Sequence, residues 1–151
     1  MINSLEFLVC PECKSPLRQN TSSEIECIKC ENKYVVKDEI PILLPLDLEE
    51  FKVLEAEYHD NEAHQYAEIN MINSYHVTHY NENYLKIVNS LNNKSTMLEV
   101  GSGDGNDANR ITNNEITVIQ SDISFEMVKL AKNSKRINSK TIFVVSDAEK
   151  I

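Results

Sequence analysis

Hydrophobic positions change their spacing three times along this chain. Over residues 1–45 they form short clusters, with 24–27 and 34–37 reading as brief strands separated by polar turns. From 47 to 70, Leu48, Phe51, Val53, Leu54 and Tyr58 are scattered among acidic residues, which predicts an acidic, partly amphipathic helix. A second helical pattern runs over 72–91, where Ile72, Tyr75, His79, Tyr84, Ile87, Val88 and Leu91 fall near one face. That face is expected to pack on the sheet that follows. The last third alternates strand and helix signals: a strand at 97–100, a glycine turn and a helix from about Asn106, a strand at 116–119, a helix over 125–135 with Ser124 as its N-cap, and a strand at 141–146. The pattern predicts an α/β chain, a small β-rich module followed by a β-α-β-α-β unit with parallel strands.

Composition bounds this picture without changing it. Hydrophobic residues at 41% and charged residues at 26% suit a globular protein, and no apolar run approaches a bilayer span. The first residues carry neither a basic start nor a long apolar stretch, so a cytoplasmic location is the expectation. The net charge of -9 is uneven, because residues 46–70 hold eight acidic side chains against the single Lys52. No segment offers the basic face that a bulk grip on nucleic acid requires.

All four cysteines fall in one pattern, Cys10-x-x-Cys13, thirteen residues, then Cys27-x-x-Cys30. Each pair places two thiolates on one side of a tight turn, and two such turns complete a closed tetrahedral shell suited to zinc. A shell with no open position makes the metal structural. Two disulfides, or a redox pair, are the alternative, and a chain in a reducing compartment disfavours them. A metal also compensates for the small core that so few residues can bury. The four histidines, His59, His64, His76 and His79, all lie between the two modules. His76 and His79 share a helical spacing, but no carboxylate or cysteine stands at a matching offset, and a second metal site is not expected.

The chain's three glycines stand at 101, 103 and 105, directly after the strand at 97–100. Glycines there permit positive φ and let the backbone approach a ligand closely, so a nucleotide-like ligand is expected over the turn. A dinucleotide fingerprint would place a third close-packing glycine at position 106, where this chain has Asn106, which argues against a nicotinamide cofactor. Glu99 suits a cationic ligand better than a pyrophosphate. Asp122, about 20 residues after the glycines, is positioned to accept hydrogen bonds from two ribose hydroxyls.

Two resemblances sharpen these readings. The run from Leu8 to Leu17 around the first cysteine pair, the second pair, and Tyr34-Val35-Val36-Lys37-Asp38-Glu39-Ile40-Pro41-Ile42-Leu43-Leu44 resemble the zinc-ribbon activator subunit of tRNA and release-factor methyltransferases. One departure is Glu39, where that family usually carries glycine in the turn. The pattern Glu99-x-Gly101-Ser102-Gly103-x-Gly105 resembles the first motif of class I methyltransferases. Asp122-Ile123-Ser124-Phe125-Glu126-Met127 resembles the second-strand motif of the ubiquinone-biosynthesis type.

The resemblance implies S-adenosylmethionine as cofactor, held by Glu99, Gly101, Ser102, Gly103, Gly105, Asp122, Ile123, Asp147 and Ala148. Glu99 would lie near its amino-acid end, Asp147 would bond the adenine amino group, and Ala148 would give a backbone contact. A fragment like Glu57-Tyr58-His59-Asp60 with Tyr66 precedes the core in some members, which places Tyr58 or Tyr66 near the methyl donor, although either also suits a helix-sheet interface.

The expected organisation is a zinc ribbon over 1–45, an acidic connector with helices over 46–92, and over 93–151 the first half of a Rossmann-like domain. A complete domain of this kind continues through four more strands, so the reading is a methyltransferase fragment. No residue for the chemical step and no methyl acceptor can be read from it. The strand at 97–100 would have an open outer edge, a place for a protein partner or self-association. A docking module with a vestigial cofactor site is the alternative reading.

Overall fold

The first strands follow from strict alternation. In β3 (Lys33–Lys37), Tyr34 and Val36 are buried while Lys33, Val35 and Lys37 face outward. With β1 (Leu17–Thr21), β2 (Glu24–Cys27) and β4 (Ile40–Leu43) it forms an antiparallel meander. The computed structural model describes residues 5–72, 74–134 and 138–151, with the side chains of 67, 69–72 and 74–81 outside that description. The side chains of Ile72, Tyr75, His76 and His79, and Lys135 at the end of the expected helix, therefore lie outside the described residues.

The turn between β3 and β4 carries two residues at positive φ, Asp38 at 51° and Glu39 at 60°. A two-residue hairpin of this hand favours Asp-Gly, and here the glycine is replaced by Glu39. The side chain that creates the strain also anchors the turn. Glu39 pairs with Lys132 at 2.9 Å, Lys132 also donates to the Asp38 carbonyl, and Lys129 lies 3.4 Å from the Asp38 carboxylate.

The run Ile-Pro-Ile-Leu does more than leave the ribbon. β4 pairs in parallel with β7 (Thr141–Ser146), through Ile42 opposite Val145 and Leu43 opposite Ser146. Beyond β7 lie β6 (Thr117–Asp122) and β5 (Thr96–Val100), both parallel, so the strands form one sheet in the order β1-β2-β3-β4-β7-β6-β5. β6 and β7 are buried along four consecutive residues each, as interior strands of a parallel sheet covered on both faces should be. β5 ends the sheet, and among the described residues no strand pairs with its outer edge.

The two faces have different cover. On one, Phe125, Val128 and Ala131 of α3 (Phe125–Asn133) pack on Ile40, Phe143 and Val145. Nearby, Val88 of α2 (Ser74–Asn89) joins Ala108, Ile111, Ile116 and Val118. On the other face, Ile119, Ile142 and Val144 share one cluster with Leu8, Leu17, Ile25, Tyr34 and Val36 of the ribbon. The small module thus completes its core with side chains from the parallel strands, which a unit of its size could not supply alone.

One expected element differs. In place of a helix from Asn106, the chain makes only a 3-10 turn at Ala108–Arg110. Ten residues separate Gly105 from Ile116, and they are rich in Asn and Asp, whose side chains compete for backbone N–H groups. Asp104 accepts from the Asn106 N–H at 3.2 Å and Asn113 from the Glu115 N–H at 3.0 Å. Ala108, Ile111 and Ile116 still fill the space beside α2.

The acidic segment forms α1 (Glu50–Ile72). It is fastened to the sheet by two polar contacts. Asp60 accepts from the Glu126 N–H at 3.0 Å and from the Ser124 hydroxyl, while Ser124 accepts from the Met127 N–H at 3.2 Å as the N-cap of α3. At its other end, Lys52 reaches Asp147 and Glu149.

Candidate functional site

The four cysteine sulfurs all lie within 4.8 Å of one another. The Cys10–Cys30 and Cys13–Cys27 separations are 3.6 and 3.4 Å, far beyond a disulfide bond and near the roughly 3.8 Å edge of a thiolate tetrahedron around zinc. Both turns close alike. The Lys14 N–H donates to the Cys10 carbonyl at 2.9 Å and the Glu31 N–H to the Cys27 carbonyl at 3.1 Å, with Lys14 and Glu31 at positive φ of 57° and 60°. The Lys29 and Cys30 N–H groups point at Cys27 Sγ from 3.4 and 3.5 Å. Such donors stabilise thiolate charge.

Tyr34, which the sequence pattern places only at the start of a short strand, brings its hydroxyl to 3.1 Å from Cys10 Sγ. Burial and the neighbouring Cys10 sulfur hold its phenol well above the usual range, so it remains a donor. The donor set, four sulfurs with supporting N–H and O–H groups, fits a closed structural metal.

A second centre opens where the parallel strands end. A cavity of about 460 Å³ runs across Val100, Gly101 and Gly103 at the end of β5, Ser121, Asp122 and Ile123 at the end of β6, and Ser146, Asp147 and Ala148 at the end of β7. The C-terminal ends of parallel strands are where α/β sheets take ligands. The opposite wall is α1, through Phe51, Lys52, Glu55, His59 and Tyr66. Of the two tyrosines singled out above, both are exposed, but only Tyr66 lines the cavity, whereas Tyr58 bonds Glu62 at 3.2 Å.

The glycine loop is held from below. The Gly103 N–H donates to Asp122 at 2.9 Å, the Ser124 N–H to the other oxygen of that carboxylate at 3.0 Å, and the Ser102 N–H to the Ser121 carbonyl at 3.0 Å. All three glycines have positive φ, but they serve different ends. A side chain at Gly101 or Gly103 would meet nothing within 4 Å, because those positions face open space. Gly105 packs inward, where a Cβ would stand 2.5 Å from Gln120 Oε1 and 2.7 Å from both Ala131 Cβ and Asn109 Nδ2.

Glu99, Ser102 and Gly105 do not line the cavity. Glu99 and Ser102 nevertheless each keep a buried side-chain oxygen that no described group satisfies. Burial, with Asp107 and Asp104 nearby, pushes the Glu99 carboxyl up to about 7.

Asp147 is nearly inaccessible, and both its oxygens are engaged, one by the Glu149 N–H at 3.0 Å and the other by Lys52 Nζ at 2.8 Å. Burial would raise this carboxyl, but the Lys52 and Glu149 donors outweigh it and hold it below the usual range. The bonds that Lys52 donates to Asp147 and Glu149 in turn keep its ammonium well above the ordinary range. Sequence reasoning passed over Lys52, Glu55, His59 and Asp60 as site or anchor residues. The signals were Lys52 itself, the lone cation in the acidic segment, and the fragment Glu57-Tyr58-His59-Asp60, from which only the tyrosine was considered for the site.

Fold and site together define a four-cysteine ribbon continuous with the parallel strands of a Rossmann-like sheet. Comparison with known families gives the particulars: residues 4–39 match the Trm112p-like protein family, and residues 98–151 match a methyltransferase domain. One chain therefore joins a segment similar to Trm112p-like proteins, with four cysteines clustered for zinc binding, to a segment similar to a methyltransferase domain. No curated protein matches it. Among the described residues, no helix is long and apolar enough to cross a membrane.

Proposed function

We propose that this chain binds S-adenosylmethionine across the ends of β5, β6 and β7 as the cofactor-binding part of a methyltransferase, with a structural zinc in its ribbon. The observation that carries the reading is the order of groups along one cavity: an open glycine loop, then Asp122, then Asp147. The residues present fit the group. The volume suits a ligand of this size, the glycines leave room for close backbone approach, and Glu99 and Ser102 hold orphaned oxygens behind the loop.

In this reading Gly101 and Gly103 bring backbone against the amino-acid part of the ligand, with Ser102 and Glu99 supporting a positively charged amino group there. Gly105 keeps the loop against Gln120. Asp122 accepts from the ribose hydroxyls with lone pairs left over from Gly103 and Ser124. Ile123 flanks the ribose, and Asp147 and Ala148 frame the base. The cofactor supplies a methyl group on a sulfonium that is already reactive, so the chain's contribution is orientation and exclusion of water by α1. Residues 1–45 then form the ribbon, 46–92 the cover of the cavity and 93–151 the cofactor-binding domain.

Equilibrium dialysis of the metal-loaded chain against labelled S-adenosylmethionine tests the proposal. Saturable binding, competed by S-adenosylhomocysteine and not by NAD, is expected. Competition by NAD alone would replace it with a nicotinamide-binding function.

A further inference from the structure

The cavity's end over β7 does not present a bare carboxylate. Asp147 is 3% exposed, and the group that covers it is Lys52, itself 8% exposed, which crosses from α1. Lys52 Nζ stands 2.8 Å from Asp147 and 2.6 Å from Glu149. An ammonium is buried this deeply only when paired, and among the described residues two of its three N–H groups find a close partner. Two are committed to the carboxylates, while the next carboxylate, Glu49, is 3.7 Å away and exposed. Lys52 lines the cavity together with Asp147, so the β7 end shows an incoming base a cation beside an already engaged acceptor.

We propose that Lys52 is a specificity-determining residue that levels the cavity's discrimination between 6-amino and 6-oxo purine nucleosides. The inference rests on the cofactor reading above. A carboxylate selects an exocyclic amino group by offering it a lone pair, and a buried acceptor of this kind rejects a ligand lacking the donor. Lys52 occupies the oxygen of Asp147 that does not hold the Glu149 N–H, which weakens that selection. The ammonium proton directed at neither Asp147 nor Glu149 simultaneously offers a donor to a keto oxygen, which an unpaired carboxylate would repel. Both effects favour the 6-oxo base relative to the amino base, and both disappear when the ammonium is removed.

The test is calorimetric titration of the metal-loaded chain with S-adenosylhomocysteine and with its 6-oxo counterpart, S-inosylhomocysteine, for the wild type and Lys52→Met. The wild-type dissociation constants are expected to differ by less than about fivefold, and the variant to prefer the amino ligand by more than about fivefold. A wild-type preference for the amino ligand above that threshold, or a ratio that Lys52→Met leaves unchanged, overturns the inference while leaving cofactor binding intact. Binding of neither ligand by the folded wild type overturns the cofactor reading and this inference with it. Should Lys52→Met lack the native circular dichroism spectrum, Lys52→Gln replaces it, and the wild-type ratio alone still decides.

Discussion

Adding one methyl group at Gly105 separates the two roles of the glycine loop. Gly105 has φ +73°, and an alanine Cβ there would lie 2.5 Å from Gln120 Oε1 and 2.7 Å from Ala131 Cβ and Asn109 Nδ2. None of these neighbours can yield readily. Gln120 is fully buried and donates to Asn109 at 3.1 Å, Asn109 donates to the Ala131 carbonyl at 3.1 Å, and Ala131 is a fully buried residue on the core-facing side of α3. The left-handed conformation costs alanine about 1–2 kcal/mol and the overpacking about 1–3 kcal/mol, so Gly105→Ala should lose about 2–5 kcal/mol. That is a large share of a typical domain's stability. Gly101→Ala has a similar φ of +68° and nothing within 4 Å, so it should lose only the conformational part, about 1–2 kcal/mol, while weakening ligand binding. Urea unfolding of both variants, followed by circular dichroism, measures the difference. Equal losses in the two would refute the assignment of Gly105 to packing and Gly101 to the ligand.

Further outcomes follow from the same geometry. Glu99 titrates near 7 in the folded chain against an ordinary 4.5, so the folded state keeps a proton that the unfolded state releases, and stability should fall as pH rises from about 4.5 to about 7. The full effect is on the order of 3 kcal/mol, and Glu99→Gln should flatten it in urea titrations across that range. Binding a ligand ammonium beside Glu99 near pH 6 should release a proton, visible as a dependence of the calorimetric heat on the buffer's ionisation enthalpy. Glu39→Gly relieves the positive φ of 60° and gives up only an exposed pair with Lys132, so the melting temperature should rise by about 2–4 °C. Chelation of the metal should free four reactive thiols and loosen the parallel sheet as well, because Ile119, Ile142 and Val144 share the ribbon's core. An unchanged melt of the remaining sheet would show that the shared core contributes little.

Local signals in the sequence were read well where physics is local. Cysteine spacing anticipated the sulfur cluster, alternation anticipated β2 and β3, and Ser124 was legible as the cap of α3. The glycine spacing and two aspartates at strand ends pointed to groups that one cavity brings together. The helix expected at Asn106 failed because the periodicity after the glycines is apolar enough for burial but too rich in Asn and Asp to propagate a helix. The parallel pairing of β4 with β7 joins positions about a hundred residues apart, which no local pattern encodes. Its trace was Ile40 to Leu43, an apolar run too continuous for an edge strand. Lys52 and Asp60 sit in an acidic helix whose outward reading is a solvated surface, and only packing against α3 and β7 reveals them as anchors.

The most direct test of the central claim is titration calorimetry of the zinc-loaded chain with S-adenosylhomocysteine, beside Asp122→Asn. Asparagine retains one oxygen for the Gly103 or Ser124 N–H but cannot serve both ribose hydroxyls and both backbone donors. Saturable binding by the wild type, weakened by about tenfold or more in a variant of unchanged circular dichroism, is the predicted result. A folded wild-type chain that gives no binding heat at any temperature tested, and no displacement of labelled cofactor, would contradict it.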